Sequence, residues 1–307
     1  MKKQLVTAIA LVALTLVGCA TPQKTWITDL DQAKMAAEKS KKDLLIAFTG
    51  SDWNDPSKEL ITNVFTDEFF KKGSKKHVLC NIDVVQDETL MDPALIEKNY
   101  GIAMTYGVQG LPFFVLQTST GEIFASGAIE ATSTEEFFNF IGSFTETRNT
   151  IVALKKKISS SKGIERAKNI DAFIDVVNPS QRQDYADLIR EIPTLDADGS
   201  AGLKGEYMLQ VAYLDALSLY QAQNLTAAGD CFFGITDSES LSPAQNQEAW
   251  YMGAYMYAMS ETVENEKVIQ WLEKAIASDP ENQGAPQIQA TIDQIKASPE
   301  GSSPVNQ

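Results

Sequence analysis

One short stretch organises this chain: Phe48-Thr49-Gly50-Ser51-Asp52-Trp53-Asn54-Asp55-Pro56-Ser57. The apolar run that precedes it, Leu44 to Phe48, predicts a buried strand, and the residues from Pro56 to about Phe65 predict a helix. Asp55 suits the N-cap of that helix, and Pro56 suits its first position, where a missing N–H costs nothing. We therefore expect a strand, a tight turn, and a helix whose partly positive N-terminus points at the turn.

The residues around this turn alternate between helical and strand patterns. Strands that alternate with helices predict a central sheet covered by helices. The predicted elements are a helix within Trp26–Lys42, the strand Leu44–Phe48, the helix from Pro56, a short helix opened by Thr66-Asp67, a strand within His77–Val85, a helix at Pro93–Tyr100, a strand entered through Pro112, a returning strand at Ile123–Ala125 and a helix at Ser133–Phe144.

Two segments of this region resemble the thioredoxin family. Trp53-Asn54-Asp55-Pro56-Ser57 resembles the active-site motif Trp-Cys-Gly-Pro-Cys, and Tyr106-Gly107-Val108-Gln109-Gly110-Leu111-Pro112 is similar to the family's Val-X-Gly-X-Pro segment, whose proline is cis. The form Gly50-Ser51-Asp52-Trp53 resembles a group of exported bacterial thioredoxin-like proteins that carry Gly-Ser-Asp-Trp-Cys-X-X-Cys. The resemblance implies a thioredoxin-like α/β fold for residues 26–145.

The residues that perform the family's chemistry are replaced in this chain. In thioredoxins the first cysteine attacks a disulfide as a thiolate and the second resolves the mixed disulfide. Asn54 and Ser57 stand at those positions, and Ala47 stands where the family often places a buried acid. We therefore predict that thiol–disulfide exchange is lost, that no residue is catalytic, and that no cofactor or metal is needed.

The resemblance implies a binding face even without the cysteines, because family members hold extended substrate segments against the loop before the cis proline. The predicted binding residues are Trp53, Asn54, Asp55, Ser57, Leu111 and Pro112.

Other reactive side chains leave alternatives open. A serine nucleophile at Ser57 needs a base within hydrogen-bond reach, and the single histidine, His77, is expected to be an exposed residue at the start of another strand. Cys80 lies among apolar residues and is expected to be a buried structural thiol. A reactive Cys80, acting in a thiol oxidoreductase or peroxidase, and a Cys80–Cys231 disulfide both remain open.

The N-terminus has the order of a bacterial export signal. Lys2 and Lys3 precede an apolar run, Leu5 to Val17, which is too short to span a bilayer. It ends in Leu16-Val17-Gly18-Cys19, which resembles the lipobox. The expectation is a signal peptide at residues 1–18, lipidation of Cys19 and a tether at residues 19–25. The protein would then be lipid-anchored in the cell envelope and face the periplasm, with the outer membrane preferred because Ala20 follows Cys19.

The chain as a whole is acidic. It carries 26 Lys and Arg against 41 Asp and Glu, a net charge of −15. Such a surface argues against nucleic acid and against anionic headgroups as partners, so membrane attachment is expected to depend on the lipid alone.

Almost no strand pattern follows Thr145. Helices are predicted at Ile164–Val177, Ser180–Ile192, Tyr207–Gln223, Ala227–Ile235, Ala244–Met259 and Glu266–Ser278. Trp271 to Asn282 resembles the second helix and closing turn of a tetratricopeptide repeat, which implies a helical-hairpin domain at residues 146–295, before a disordered tail at 296–307. The segment Asp196 to Ser200 lacks the ligands of a calcium loop and is predicted to be a turn.

These features favour a redox-inactive, lipid-anchored module that binds an exported protein or peptide through the Trp53 turn. The aromatic residues of the helical domain, Trp250, Tyr251, Tyr255 and Tyr257, suit either a peptide groove or an inter-helix core. The rivals are an enzyme that works through Cys80 and a purely structural envelope protein.

Overall fold

The computed structural model describes residues 25–297. The predicted signal peptide, Cys19, the tether up to residue 24 and residues 298–307 lie outside the described part. The chain folds as a thioredoxin-like α/β region followed by an all-helical region, as the sequence predicts.

The α/β region is built on a four-stranded sheet in the order β2-β1-β3-β4. Strand β1 pairs with β2 in parallel, and β1 with β3 and β3 with β4 pair antiparallel. The elements are α1 (Leu30–Ser40), β1 (Asp43–Thr49), α2 (Asp55–Asn63), α3 (Asp67–Gly73), β2 (His77–Asp83), α4 (Pro93–Thr105), β3 (Phe113–Gln117), β4 (Ile123–Ala128) and α5 (Thr134–Gly142).

Strand β1 is buried on both faces, which explains its continuous apolar run. Because successive side chains point to opposite sides of a strand, Leu44, Ile46 and Phe48 pack on the side of α1 and α4. Leu45 and Ala47 pack on the other side, in the core that α2, α3 and α5 cover.

The helical region is a series of helices in which each one from α6 to α13 packs on the next. Its elements are α6 (Thr145–Ser160), α7 (Gly163–Val176), a 3₁₀ helix (Pro179–Tyr185), α8 (Ala186–Leu195), α9 (Lys204–Gln221), α10 (Leu225–Phe233), α11 (Pro243–Ser260), α12 (Asn265–Ser278) and α13 (Ala285–Ala297).

Three details of this region differ from the sequence prediction. The segment Ser180–Ile192 is not one helix, because a 3₁₀ helix occupies its first part and α8 begins at Ala186. Helices α6 and α13 lie in stretches that were predicted to be helical only in general, without bounds of their own. Residues 296 and 297, assigned to the tail, complete the last turn of α13.

The core of the sheet continues into the helical region without a break. The cluster that contains Phe114 and Phe137 also contains residues of α6 to α9, ending at Tyr207. Polar contacts reinforce this junction: the Gln181 side chain accepts from the Ile123 N–H at 2.6 Å and donates to the Gly121 carbonyl at 3.0 Å. A single apolar core therefore extends across the domain boundary that was predicted near residue 145.

The aromatic residues of the helical region serve mainly as packing between helices. Trp250 is buried, and its ring lies 5.4 Å from that of Phe233. Tyr257 is half-buried, stacks on Phe233 and donates to Asp230 at 2.7 Å.

At the predicted turn, Asp196 accepts from three backbone N–H groups, so it organises the turn itself. Within residues 25–297, no helix is long and apolar enough to cross a membrane.

Candidate functional site

Three strand ends meet at one edge of the sheet, and the Trp53 turn lies there. Thr49 at the end of β1 is opposite Asp83 at the end of β2, in the parallel ladder. Phe48 is opposite Phe113, the first residue of β3, in the antiparallel ladder. The turn at residues 50–54 and the loop that ends at Pro112 are therefore neighbours, which brings the predicted binding residues together.

The two positions that hold cysteines in thioredoxins bond to each other here. The Asn54 side-chain oxygen accepts from the Ser57 backbone N–H at 2.9 Å and from the Ser57 hydroxyl at 2.7 Å. The Ser57 oxygen in turn accepts from the Gly50 N–H at 3.1 Å. Asn54 is thus the N-cap of α2, which begins at Asp55. The predicted N-cap, Asp55, is wrong by one residue, because the side-chain oxygen of Asn54 accepts the hydrogen bond from the free N–H of the first helical turn.

This arrangement leaves no group in the turn that can act on a disulfide. Ser57 is fully buried and gives its proton to an amide oxygen, which is no base, so it has no activated nucleophile character. Ala47 is also fully buried, within the apolar core beneath the turn.

Trp53 closes the turn from outside. Its indole N–H donates to the Val84 carbonyl at 2.8 Å, and its side chain remains 40% exposed. The ring lies over Gly50, where an added Cβ would meet ring atoms at 2.8 Å. Glycine at this position is therefore required by close approach, and the outer face of the indole is presented to solvent.

A hydroxyl–carboxylate cluster that sequence reasoning missed fastens the turn to β2. Asp83 accepts from the Thr49 hydroxyl at 2.8 Å, from the Ser51 N–H at 3.0 Å and from the Ser51 hydroxyl at 2.5 Å. The sequence offered one indication of this cluster, which is the acidic residue Asp83 near the end of the strand predicted within His77–Val85. The pairing of the two strands decides which hydroxyls it meets.

Asp52 fixes the following loop in a similar way. One of its carboxylate oxygens accepts from the N–H groups of Gln86 and Asp87, at 3.0 and 2.8 Å, and the other is buried without a partner in the described residues. Burial raises the pKa of Asp52, but the two backbone donors outweigh it, and the net pKa lies below the usual value. Asp52 is therefore a charged anchor of the loop at neutral pH.

The loop opposite the turn has the predicted cis peptide bond between Leu111 and Pro112. Pro112 is buried and Leu111 is half-buried, whereas Gln109 and Gly110 are exposed. Of the six predicted binding residues, Trp53 and Asp55 are exposed, Asn54 and Leu111 are half-buried, and Ser57 and Pro112 are buried. An incoming ligand would therefore meet Trp53, Asp55 and the loop backbone rather than Pro112 itself.

The other candidate groups lie away from this edge or are inaccessible. Burial raises the pKa of the Cys80 thiol to about 12, so the thiol is protonated at neutral pH. Cys80 and Cys231 are both free, which removes the predicted alternative of a disulfide between them. His77 begins β2, as predicted, but it is half-buried rather than exposed, and burial lowers its pKa. Residues 25–297 contain no group of acids, histidines and cysteines that could hold a metal.

Comparisons with known proteins agree with the two-part architecture. Residues 25–118 match a family described as thioredoxin-like, and residues 203–301 match one described as an uncharacterised protein C-terminal domain. A Treponema pallidum (strain Nichols) protein, described as an uncharacterized protein, is 31% identical over 290 residues, which is 94% of this chain and 95% of the relative. A solved structure named DsbH oxidoreductase covers 46% of this chain and 95% of its own, at 20% identity and a TM-score of 0.36.

Proposed function

This chain belongs to the family of the Treponema pallidum protein with which it aligns along nearly its whole length, and we propose that it is a redox-inactive binding protein of the cell envelope. In this proposal a lipid on Cys19 anchors it to a membrane, and the Trp53 edge holds an exported protein or peptide. The helical region, which resembles tetratricopeptide repeats, provides a second surface for the same task.

The observation that carries this proposal is the closed hydrogen-bond pair of Asn54 and Ser57. The Asn54 oxygen caps the helix by accepting from the Ser57 backbone N–H at 2.9 Å and accepts from the Ser57 hydroxyl at 2.7 Å, where thioredoxins have a disulfide. The surrounding scaffold is retained, including the exposed indole of Trp53 and the loop at Pro112. A turn that keeps its shape while it lacks reactive groups is suited to binding without chemistry.

The loop opposite Trp53 offers backbone groups to such a partner. Among the described residues, the N–H groups of Gln109 and Gly110 donate to no acceptor, and both residues are exposed. An extended peptide pairs with exposed backbone of this kind through main-chain hydrogen bonds, while side-chain pockets supply specificity. Trp53 supplies the large, rigid aromatic surface that is common at the centre of protein interfaces.

Photo-crosslinking from the turn tests the proposal. Benzoylphenylalanine at position 55, which is exposed beside Trp53, is expected to capture a discrete envelope protein, and the capture should be lost when Trp53→Ala or Leu111→Asp is added. The matched control is the same probe at position 135, an exposed site on α5. Equal products from both positions, or capture that ignores Trp53→Ala, would count against a binding site at this edge.

A redox assay separates binding from catalysis. Dithiothreitol reduces the disulfides of insulin slowly by itself. We expect the chain not to increase this rate of reduction. Acceleration by the native chain would contradict the non-catalytic part of the proposal, and loss of that acceleration in Cys80→Ser would favour the rival enzyme.

A further inference from the structure

A groove of about 580 Å³ lies at the opposite end of the sheet from the Trp53 turn. It opens where β1 and β2 begin, so Asp43 and His77 line it. Phe124, Phe138 and Ile141 provide an apolar part of its wall. The remaining charged residues that line it are Lys41, Lys42, Lys72, Lys75, Lys76 and Arg148.

The groove is positively charged, although the chain as a whole carries −15. Its single carboxylate, Asp43, is engaged by Arg148, whose guanidinium nitrogens lie 2.9 and 3.0 Å from the two carboxylate oxygens. These two charges compensate each other. The five lysines remain, and within residues 25–297 none of them forms an ion pair.

Two of the five lysines are held at the groove by contacts with its wall. Lys42 donates to the Ser74 carbonyl at 2.6 Å, and the Lys72 ammonium lies 5.5 Å from the centre of the Phe138 ring. His77 adds a ring nitrogen that is buried and has no hydrogen-bond partner in the described residues. Like charges gathered around one concave surface raise the local concentration of the opposite ion, so the groove is suited to an anion.

The N-terminal segment enters the fold beside this groove. A second cavity, of about 260 Å³, is lined by Thr25 and Trp26 and shares Lys42 and His77 with the groove. Trp26 packs on Phe70 of α3, the helix that carries Lys72. The six residues from Cys19 to Lys24 can span at most about 20 Å. A lipid on Cys19 would therefore hold the groove close to the membrane surface.

We propose that the groove binds the phosphate headgroups of anionic phospholipids in the membrane that carries the anchor. This inference rests on the lipid attachment in the proposed function. Lipid anchors are commonly supplemented by a basic patch, which adds electrostatic attraction to the lipid surface. The net charge of −15 argues against an anionic partner for the chain as a whole. That total does not describe the local charge at the groove, where five lysines are gathered. Strand β1 has seven residues and separates the two ends by roughly 20 Å, so headgroup binding would direct the Trp53 turn away from the membrane.

Vesicle flotation with residues 20–307, which lack the lipid and keep every described contact, tests the groove independently of the anchor. The probes are vesicles of pure phosphatidylcholine and vesicles in which about a third of the lipid is phosphatidylglycerol. The test variant is Lys72→Gln/Lys75→Gln/Lys76→Gln, and the matched control is Lys156→Gln/Lys157→Gln/Lys168→Gln. All six lysines are exposed, so both variants should fold and carry the same change of charge.

We expect binding only to the phosphatidylglycerol vesicles. Because each lysine near an anionic surface contributes about fivefold, the groove variant should lose about a hundredfold in partitioning while the control loses little. Equal losses in the two variants, or equal binding to both vesicle types, would overturn the assignment. Absence of vesicle binding, together with groove-dependent binding of inorganic phosphate or of polyglutamate, would also overturn it, in favour of a soluble anion or an acidic protein.

Discussion

Replacement of Asn54 by alanine tests the structural basis of the proposed function. The substitution removes the oxygen that caps α2 and that accepts the Ser57 hydroxyl, at 2.9 and 2.7 Å. Both bonds are donated by Ser57, which is fully buried. The hydroxyl therefore has no water to replace its lost acceptor.

Two terms set the expected size of the effect. Loss of an N-cap costs about 1 kcal/mol, and a buried donor left without an acceptor costs about 1–2 kcal/mol more. We therefore expect Asn54→Ala to lower the free energy of unfolding by about 2–3 kcal/mol. Asn54→Asp keeps the capping oxygen and should stay within about 0.5 kcal/mol of the native chain.

Urea unfolding of residues 20–307, followed by circular dichroism, measures this difference at an unchanged slope with denaturant. The double variant Asn54→Ala/Ser57→Ala removes the orphaned hydroxyl but also the acceptor of the Gly50 N–H, so it should cost less than the sum of the two single variants, a coupling of about 1 kcal/mol. A cost below about 0.5 kcal/mol for Asn54→Ala, or two single effects that add without coupling, would show that Asn54 and Ser57 do not stabilise the turn as a pair.

Three further outcomes are expected. The variant Asn54→Cys/Ser57→Cys places two thiols where side-chain atoms already lie 2.7 Å apart, so it should form a dithiothreitol-reducible disulfide and gain insulin-reducing activity; a variant that stays fully reduced in oxidised glutathione would show that the turn no longer fits a dithiol. Cys80 should resist Ellman's reagent at pH 8 until the chain unfolds, because burial raises its pKa to about 12; rapid labelling of the folded chain would contradict this. Burial raises the pKa of Glu122, but hydrogen bonds from Lys155 and two threonines lower it by more than burial raises it. The net pKa of Glu122 is therefore below its ordinary value of 4.5. Its contribution to stability is therefore present at neutral pH and lost as the pH falls below that value; the urea midpoint of Glu122→Gln should be lower than native at pH 7 and approach native in acid, and a constant gap would exclude the ion pair as the cause.

The local patterns of the sequence predicted most of the α/β region. The apolar run of β1, the helix after the turn and the Val-X-Gly-X-Pro-like segment each depend on neighbouring residues, and each is confirmed, down to the cis bond at Pro112. Loss of the cysteines could be read directly, because Asn54 and Ser57 occupy their positions whatever the packing. The predicted N-cap of α2, Asp55, was wrong by one residue, because the choice between Asp55 and Asn54 depends on side-chain geometry.

Long-range relations could not be read in the same way. Asp83 is 34 residues from Thr49, with which it bonds, and only the pairing of β1 with β2 brings them together. The continuity of the core from Phe114 to Tyr207 likewise depends on how the helical region packs on the sheet. The residue composition of neither segment contains this information.

The sequence by itself determined the absence of a Cys-X-X-Cys pair at the turn and the succession of strands and helices, because side-chain identity and hydrophobic period are local properties. The tertiary structure decided where charge is gathered. Lys42, Lys72 and Arg148 are far apart in the chain and lie in an acidic protein, yet they line one groove. Electrostatic attraction depends on distances between charges in space, and those distances are set only when the chain folds.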